Sequence, residues 1–338
     1  MTHKKFDVPE NPMYQPLQVG RKGKEDLGYL GDDTGDEISD QNCYYSELTG
    51  LYWIYKNFDQ ADYVGICHYR RYLIGNDGHT FSEKQYEQLM QEYQIITTKQ
   101  VELNYSYLDA FSVNHNGAVL EETGKVIGEI YPEYAADFDR LVHQNRTYFG
   151  NICVLPINEF KKYAKWLFTI FFEVQKRVDL DAPDEYHRRV FGFISEFLLY
   201  VYTVHHQWKA LECVVGMTGE KAEIREVKKN MAEFFIKKDS RGAEDYICAC
   251  LQKRPDILME ASDINGELKL CMQIAATAKL EKEMQGSNIL DRMTRYEDLL
   301  YYFQGLNRIT REKGWEHVKS DKEQYSEIAI EISKRLFQ

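Results

Sequence analysis

Apolar positions along the 338-residue chain fall into two regimes that change near residue 216. Before that point, short continuous apolar runs alternate with longer stretches of helical spacing. Tyr63, Val64, Gly65, Ile66 and Cys67 form a partly β-branched run of strand length; 93–98 and 148–155, the latter ended by Pro156, read as two more strands. Residues 45–57 put Leu48, Leu51, Tyr52 and Tyr55 at helical spacing with Ser46 near the start. Residues 82–93, capped by Ser82, 120–130, 134–142 and 160–178 read as further helices. In the last of these Tyr163, Trp166, Leu167, Ile170, Phe171 and Val174 make a core face. A helix feeding a buried strand with a polar end is the usual construction of a nucleotide-binding α/β sheet flanked by helices.

After residue 216 strand-like runs nearly vanish. Amphipathic helices are predicted over 222–235, 243–253, 268–284 and 324–337, with no repeat period. The pattern divides the chain into an α/β domain over 1–216 and an all-α region over 217–338. The second region reads as a cap, an element for homo-oligomerisation or a partner-docking bundle.

Composition narrows the class. A hydrophobic content of 43% and 25 tyrosines indicate a packed globular chain. A net charge of 42 − 54 = −12 disfavours general nucleic-acid binding. No apolar run approaches the ~20 residues of a membrane span, and the first residues lack the apolar core of a signal peptide, so a cytoplasmic protein is expected. Seven scattered cysteines suit reduced core thiols, and Cys248-Ala249-Cys250 lacks the second pair of a structural zinc site. Pro9, Pro12 and Pro16 predict an irregular N-terminal path with no strand before it.

Three stretches carry chemistry. His68, Tyr69, Arg70 and Arg71 directly follow the first apolar run; ligands of open α/β sheets bind outside strand carboxyl ends, and paired guanidinium forks suit a pyrophosphate. Ordinary solvation of a strand end explains the same residues. The loop 28–39 brings together Asp32, Asp33 and Asp36 with glycines, and reads as a solvated Asx-rich turn, as a metal site, or as acceptors for sugar and ribose hydroxyls. Before a strongly apolar helix expected over 197–204, Gly192 and Ser195 read as turn and cap. Glu196 then falls in the first turn, as a capping carboxylate or as a general base in a cleft. His115 between two asparagines and Asn151 at a strand start are substrate-contact candidates, although a surface histidine and a turn asparagine are equally ordinary. His205 and His206 favour the negative pole of their helix or, alternatively, a metal.

These stretches together resemble the domain-of-unknown-function family 4422 of bacterial capsule and O-antigen loci, regarded as glycosyltransferases. The resemblance rests on T-H-K-K at 2–5, P-L-Q-V-G at 16–20, L-G-Y-L-G-D-D-T-G-D-E-I-S at 27–39, E-L-T-G-L-Y-W at 47–53, D-Y-V-G-I-C-H-Y-R-R-Y at 62–72, His115, G-N-I-C-V at 150–154 and R-V-F-G-F-I-S-E-F-L-L at 189–199. It covers about residues 1–215. It implies a GT-A-like (Rossmann-like) fold and transfer of a sugar from a nucleotide donor, a UDP-sugar such as UDP-galactofuranose, to a growing capsule or O-antigen glycan. The acceptor glycan would be free or lipid-linked, with the enzyme at the inner membrane face. Carried over, Thr2 and His3 would lie near the nucleobase, and Asp32, Asp33 and Asp36 near the ribose or donor sugar. His68, Tyr69, Arg70 and Arg71 would stand where many GT-A enzymes place a metal-binding Asp-x-Asp, which is absent here. A metal-independent, inverting reaction is expected, with fixed donors stabilising the diphosphate and Glu196 as base, while the Asp32–Asp36 loop leaves a manganese or magnesium ion open. His115 and Asn151 would position the acceptor. Relatives carry an apolar run ahead of T-H-K-K, and its lack predicts a nucleotide pocket missing part of its floor. The competing expectation is a catalytically degenerate scaffold protein of a polysaccharide-assembly complex.

Overall fold

The computed structural model describes residues 1–181, 184–254, 257, 262–313 and 324–336. They form two compact units, Met1–Thr218 and Gly219–Gln338.

In the first unit, β1 (Leu17–Gln18) and β2 (Leu30–Gly31) pair in parallel, and Thr2 adds a parallel bridge to Gln18. Residues 5–16, with Pro9, Pro12 and Pro16, follow the irregular path expected of them, and the departure from expectation is the Thr2 bridge that precedes it. The bridge is tied down by Thr2 N–H donating to the Leu17 carbonyl at 2.9 Å and Val19 N–H to the Thr2 carbonyl at 2.9 Å. Helices α1 (Asn42–Tyr45) and α2 (Leu48–Asn57) lead to β3 (Tyr63–Ile66) and β4 (Arg71–Ile74), then α3 (Glu83–Leu89), β5 (Ile95–Thr98) and β6 (Val101–Glu102). There follow α4 (Tyr107–Asn114), α5 (Gly117–Ile130), α6 (Pro132–Val142), β7 (Arg146–Thr147), β8 (Cys153–Pro156), α7 (Ile157–Gln175), α8 (Glu185–Arg188), α9 (Val190–His205) and β9 (Ala210–Met217).

The central sheet has the order β3-β8-β5-β9-β4. It is mixed: β5 and β9 run parallel, whereas β3/β8, β5/β8 and β4/β9 are antiparallel. β3 and β4 occupy opposite edges, yet only residues 67–70 join them, so the sheet must curl until its edges approach, an extreme of the usual strand twist. Alternation along each strand then separates two cores. Val64, Ile66, Ile95, Cys153 and Leu155 face the large helical core with Tyr163, Phe171 and Phe197, while Ile96, Ile152, Val154, Leu73 and Cys213 face a smaller cluster under α3. A capping box, Ser82 Oγ with Gln85, starts α3.

The second unit is helical, with α10 (Ala222–Ile236), α11 (Ser240–Lys253), α12 (Glu267–Gln285), α13 (Ile289–Arg292), α14 (Tyr296–Lys313) and α15 (Glu327–Leu336) around Met231, Phe235, Ile274, Phe303 and Leu306. Phe337, placed by the periodicity at the end of the last helix, lies outside the described residues. A buried Lys228 bonds Glu220 (2.5 Å) and Asn265 (2.6 Å) and pairs with Asp263 (3.1 Å), so its charge is matched where it is desolvated. Among the described residues no helix is long and apolar enough to cross a membrane. All seven cysteines are free thiols.

Candidate active site

β3 leaves the sheet at the same end at which β8 enters it, because the two run antiparallel with Ile66 opposite Cys153. The segment 67–70 after one strand and Gly150-Asn151 before the other are thereby brought side by side. His68 and Arg71 close a tight turn, Arg71 N–H donating to the His68 carbonyl at 3.0 Å, which sets their side chains as cross-strand neighbours. His68 Nε2–H donates to the Gly150 carbonyl. Burial, with Arg71 nearby, pushes the imidazole down to about 4, so it is neutral at physiological pH and does not add a cation to the cluster as expected. Arg70 sits at the turn with its guanidinium 5.1 Å from the Tyr69 ring centre.

The opposite wall comes from α9. Its helix starts at Val190, so Glu196 lies in the interior and not in the first turn; Gly192 and Ser195 are helical residues, not turn and cap. Packing explains the earlier start: buried Val190, Phe191 and Ile194 continue the apolar face of 197–204 about two turns backward. Glu196 is thus not held by a helix N-terminus. Its carboxylate accepts the Gly150 N–H at 2.8 Å, and burial, reinforced by the Glu47 carboxylate, pushes it up to about 8 against the pull of Arg71 and Arg189.

A polar brace fixes these walls. Asn151 Nδ2 is within hydrogen-bonding distance of Glu47 Oε1 (2.8 Å), the Gly192 carbonyl (3.1 Å) and Ser195 Oγ (2.8 Å), and Arg189 Nε donates to Ser46 Oγ at 2.8 Å. A side chain at Gly192 would stand 3.2 Å from Ser46 and 3.9 Å from Glu47, so glycine permits this approach. Two non-glycine residues of the brace, Ser46 (φ 52°) and Asn151 (φ 49°), hold a positive φ, a cost that tends to concentrate at functional sites. Asn151 is therefore buried, with its side-chain amide engaged by Glu47 and by Gly192 and Ser195 of α9. Glu47 and Arg189 are not singled out by the sequence and Ser195 is read there only as a cap, although each lies inside a motif that carried the family resemblance.

Other candidates lie elsewhere. Asp32 is fully buried and accepts from Gly20 N–H (2.7 Å), Arg21 N–H (3.1 Å), Ser39 Oγ (2.6 Å) and Thr49 Oγ1 (2.5 Å), a staple with no oxygen left for a ribose or a metal. Asp33 is bound by Arg21 at 2.6 Å, and Asp36 by Tyr52 (2.9 Å) and Lys56 (2.8 Å); each partner holds its carboxylate below the usual range. Thr2 is buried in its bridge, and His3 meets the edge of Tyr69 at 5.7 Å. His115 ends α4 and stacks on Phe193 at 4.1 Å and Tyr186 at 5.4 Å, as part of an aromatic cluster. His205 pairs with Asp137 (3.0 Å) and His206 bonds Tyr134 (2.8 Å). Among the described residues no group of three or more His, Cys, Asp or Glu side chains is arranged to hold a metal ion.

Behind the His68-Tyr69 turn, inside the curl of the sheet, lies a cavity of about 490 Å³. His68 lines it and also bonds Gly150, so this one side chain borders both cavity and polar cluster.

The model of the family described as a domain of unknown function (DUF4422) matches residues 1–207. No curated protein matches the chain. A solved structure of the apo WbbM bifunctional glycosyltransferase is similar at 25% identity and a TM-score of 0.57, over 64% of this chain and 44% of that one. The chain thus corresponds to less than half the length of that protein.

Proposed function

The chain belongs to the DUF4422 family, and from that premise and the likeness to a glycosyltransferase structure we propose that it transfers a sugar from a nucleotide-sugar donor to a glycan acceptor. The observation that carries the reading is Glu196: a carboxyl raised to about 8, oriented by the Gly150 N–H, with Arg71 and Arg189 near enough to oppose its shift. A carboxylate of that basicity is matched to removing the proton of an acceptor hydroxyl near neutral pH. The two guanidinium groups offer permanent charge to a departing diphosphate, the role a divalent cation plays in metal-dependent transferases. Direct attack by the acceptor so activated makes the reaction inverting. A GT-A-like sheet, a UDP-sugar donor and a capsule or O-antigen acceptor belong to this reading through the family resemblance. The metal-independent course rests on the arginines and on the engagement of Asp32, Asp33 and Asp36 by protein donors.

The test is thermal unfolding with UDP, UDP-sugars, GDP-sugars and CMP-sugars, each with EDTA or manganese. A ligand at 100 times its Kd stabilises the folded state by about 2.7 kcal/mol. One nucleotide class is expected to raise Tm in EDTA as well as in manganese, with the shift largely lost in Arg71→Ala. A shift seen only with manganese removes the metal-independent reading. No shift with any donor removes the transferase reading.

A further inference from the structure

The cavity inside the curled sheet differs in chemistry from the cluster beside it. Its walls are aromatic, with Phe6, Tyr14, Tyr63, Tyr69, Tyr72 and Tyr86, and Asp62, Glu83 and Glu87 also line it, the last two one turn apart on α3. No lysine or arginine is among its lining residues, all of which are described. A diphosphate would meet carboxylates there with no lysine or arginine to compensate them, the Met1 α-ammonium being bound to the Cys67 carbonyl at 2.7 Å, whereas sugar hydroxyls could donate to those carboxylates and ring C–H faces could lie against the tyrosines.

Gly65 sharpens this. It is in the middle of β3, where glycine weakens a strand and often marks a close approach by a ligand or another backbone. Neither conformation nor packing demands it: it is not among the positive-φ glycines, and an added Cβ would meet Val154 Cγ2 at an ordinary 3.4 Å. Its neighbours Val64 and Ile66 are buried in the large helical core, while Gly65 is exposed and lines the cavity with Tyr63. The missing side chain thus leaves the cavity floor flat.

We propose that this cavity is the subsite for an uncharged, hydroxyl-bearing ring laid flat on Gly65, with the charged part of the ligand excluded to the Arg71 side of His68. The inference rests on the transferase reading, and it fits two sources, the nucleoside of the donor or a sugar of the acceptor.

Saturation-transfer NMR on the full chain tests it with two neutral probes, uridine and a methyl hexoside, and phosphorus line broadening follows inorganic pyrophosphate in parallel. At least one neutral probe is expected to bind the native protein, and to bind Gly65→Val about tenfold or more weakly, since a branched side chain on the floor overfills the space. Pyrophosphate should bind Gly65→Val unchanged and be lost in Arg71→Ala. Valine favours strands, so folding should survive; Gly65→Ala, with only its Cβ on the floor, gives a smaller loss in the same direction. Loss of uridine assigns the nucleoside, and loss of the hexoside assigns the acceptor. Neither probe binding the native protein, or every probe that binds it binding Gly65→Val undiminished, overturns the proposal. Absence of pyrophosphate binding counts against the arginine site of the transferase reading and leaves the cavity to be judged by the neutral probes.

Discussion

The loop around Asp32 and the sheet end around Glu196 hold similar residue types, acids beside arginines, glycines and hydroxyls, and use them in opposite ways. In the loop, Asp32 is ringed by backbone and hydroxyl donors, and Asp33 has Arg21 within 2.6 Å. At the sheet end, Glu196 shares its surroundings with a second carboxylate, Glu47, and its proton affinity rises to about 8. A carboxylate surrounded by donors maintains a fold; one kept short of them retains basicity that chemistry can use.

The sharpest break of that comparison is at Glu196. Glu196→Gln keeps the shape and removes the base, so sugar transfer should fall by about 10²–10⁴-fold with Tm unchanged or raised. Retention of near-native turnover by this variant would end the base assignment. Asp32→Ala should do the reverse. It strands the Gly20 and Arg21 N–H groups in a buried site, so unfolding free energy should drop by about 3 kcal/mol or more in denaturant titration. Donor binding per folded molecule should be retained. A soluble, equally stable Asp32→Ala protein that has lost donor binding would return the loop to the active site.

The sequence disclosed much of this and concealed the rest for identifiable reasons. Val64 and Ile66 announced β3, and Tyr163 to Val174 announced α7, because their burial follows one period over several residues. β4 was missed because Arg71-Tyr72 reads as the end of the preceding run, and the turn that makes it a new strand is set by a backbone bond from Arg71 to His68. β9 was missed as well; Cys213 is its one buried residue, and its neighbours are half-buried or exposed on the curled sheet. Asp32 and Glu196 were both legible as candidates. Their roles were not, since those depend on which donors the chain brings around them from Gly20, Ser39 and Thr49 in one case and from Gly150 in the other.

The smallest expected effect separates the two regions by pH. Glu196 is raised from an unfolded value of about 4.3 to about 8, so between those values the folded state holds the extra proton; stability is fully present below the lower value and is lost as pH rises through the upper. His68 is shifted the other way, to about 4, so its contribution is present above about 6.5 and is lost as pH falls towards 4. Asp33 and Asp36, held below the ordinary carboxylate range, contribute stability that is lost only in more acid solution still. The window from about pH 6.5 to 8 therefore reports Glu196 without His68 or the loop. The buried Met1 α-amine, lowered from its ordinary value by desolvation, works against this in the same window, so the comparison is with Glu196→Gln: relative to that variant the native Tm should fall there by about 2 °C, a difference that Asp36→Asn leaves intact. Transfer by the native protein should rise over the same window as the carboxyl loses its proton. A flat Tm difference with rising activity would place the titrating base on another residue.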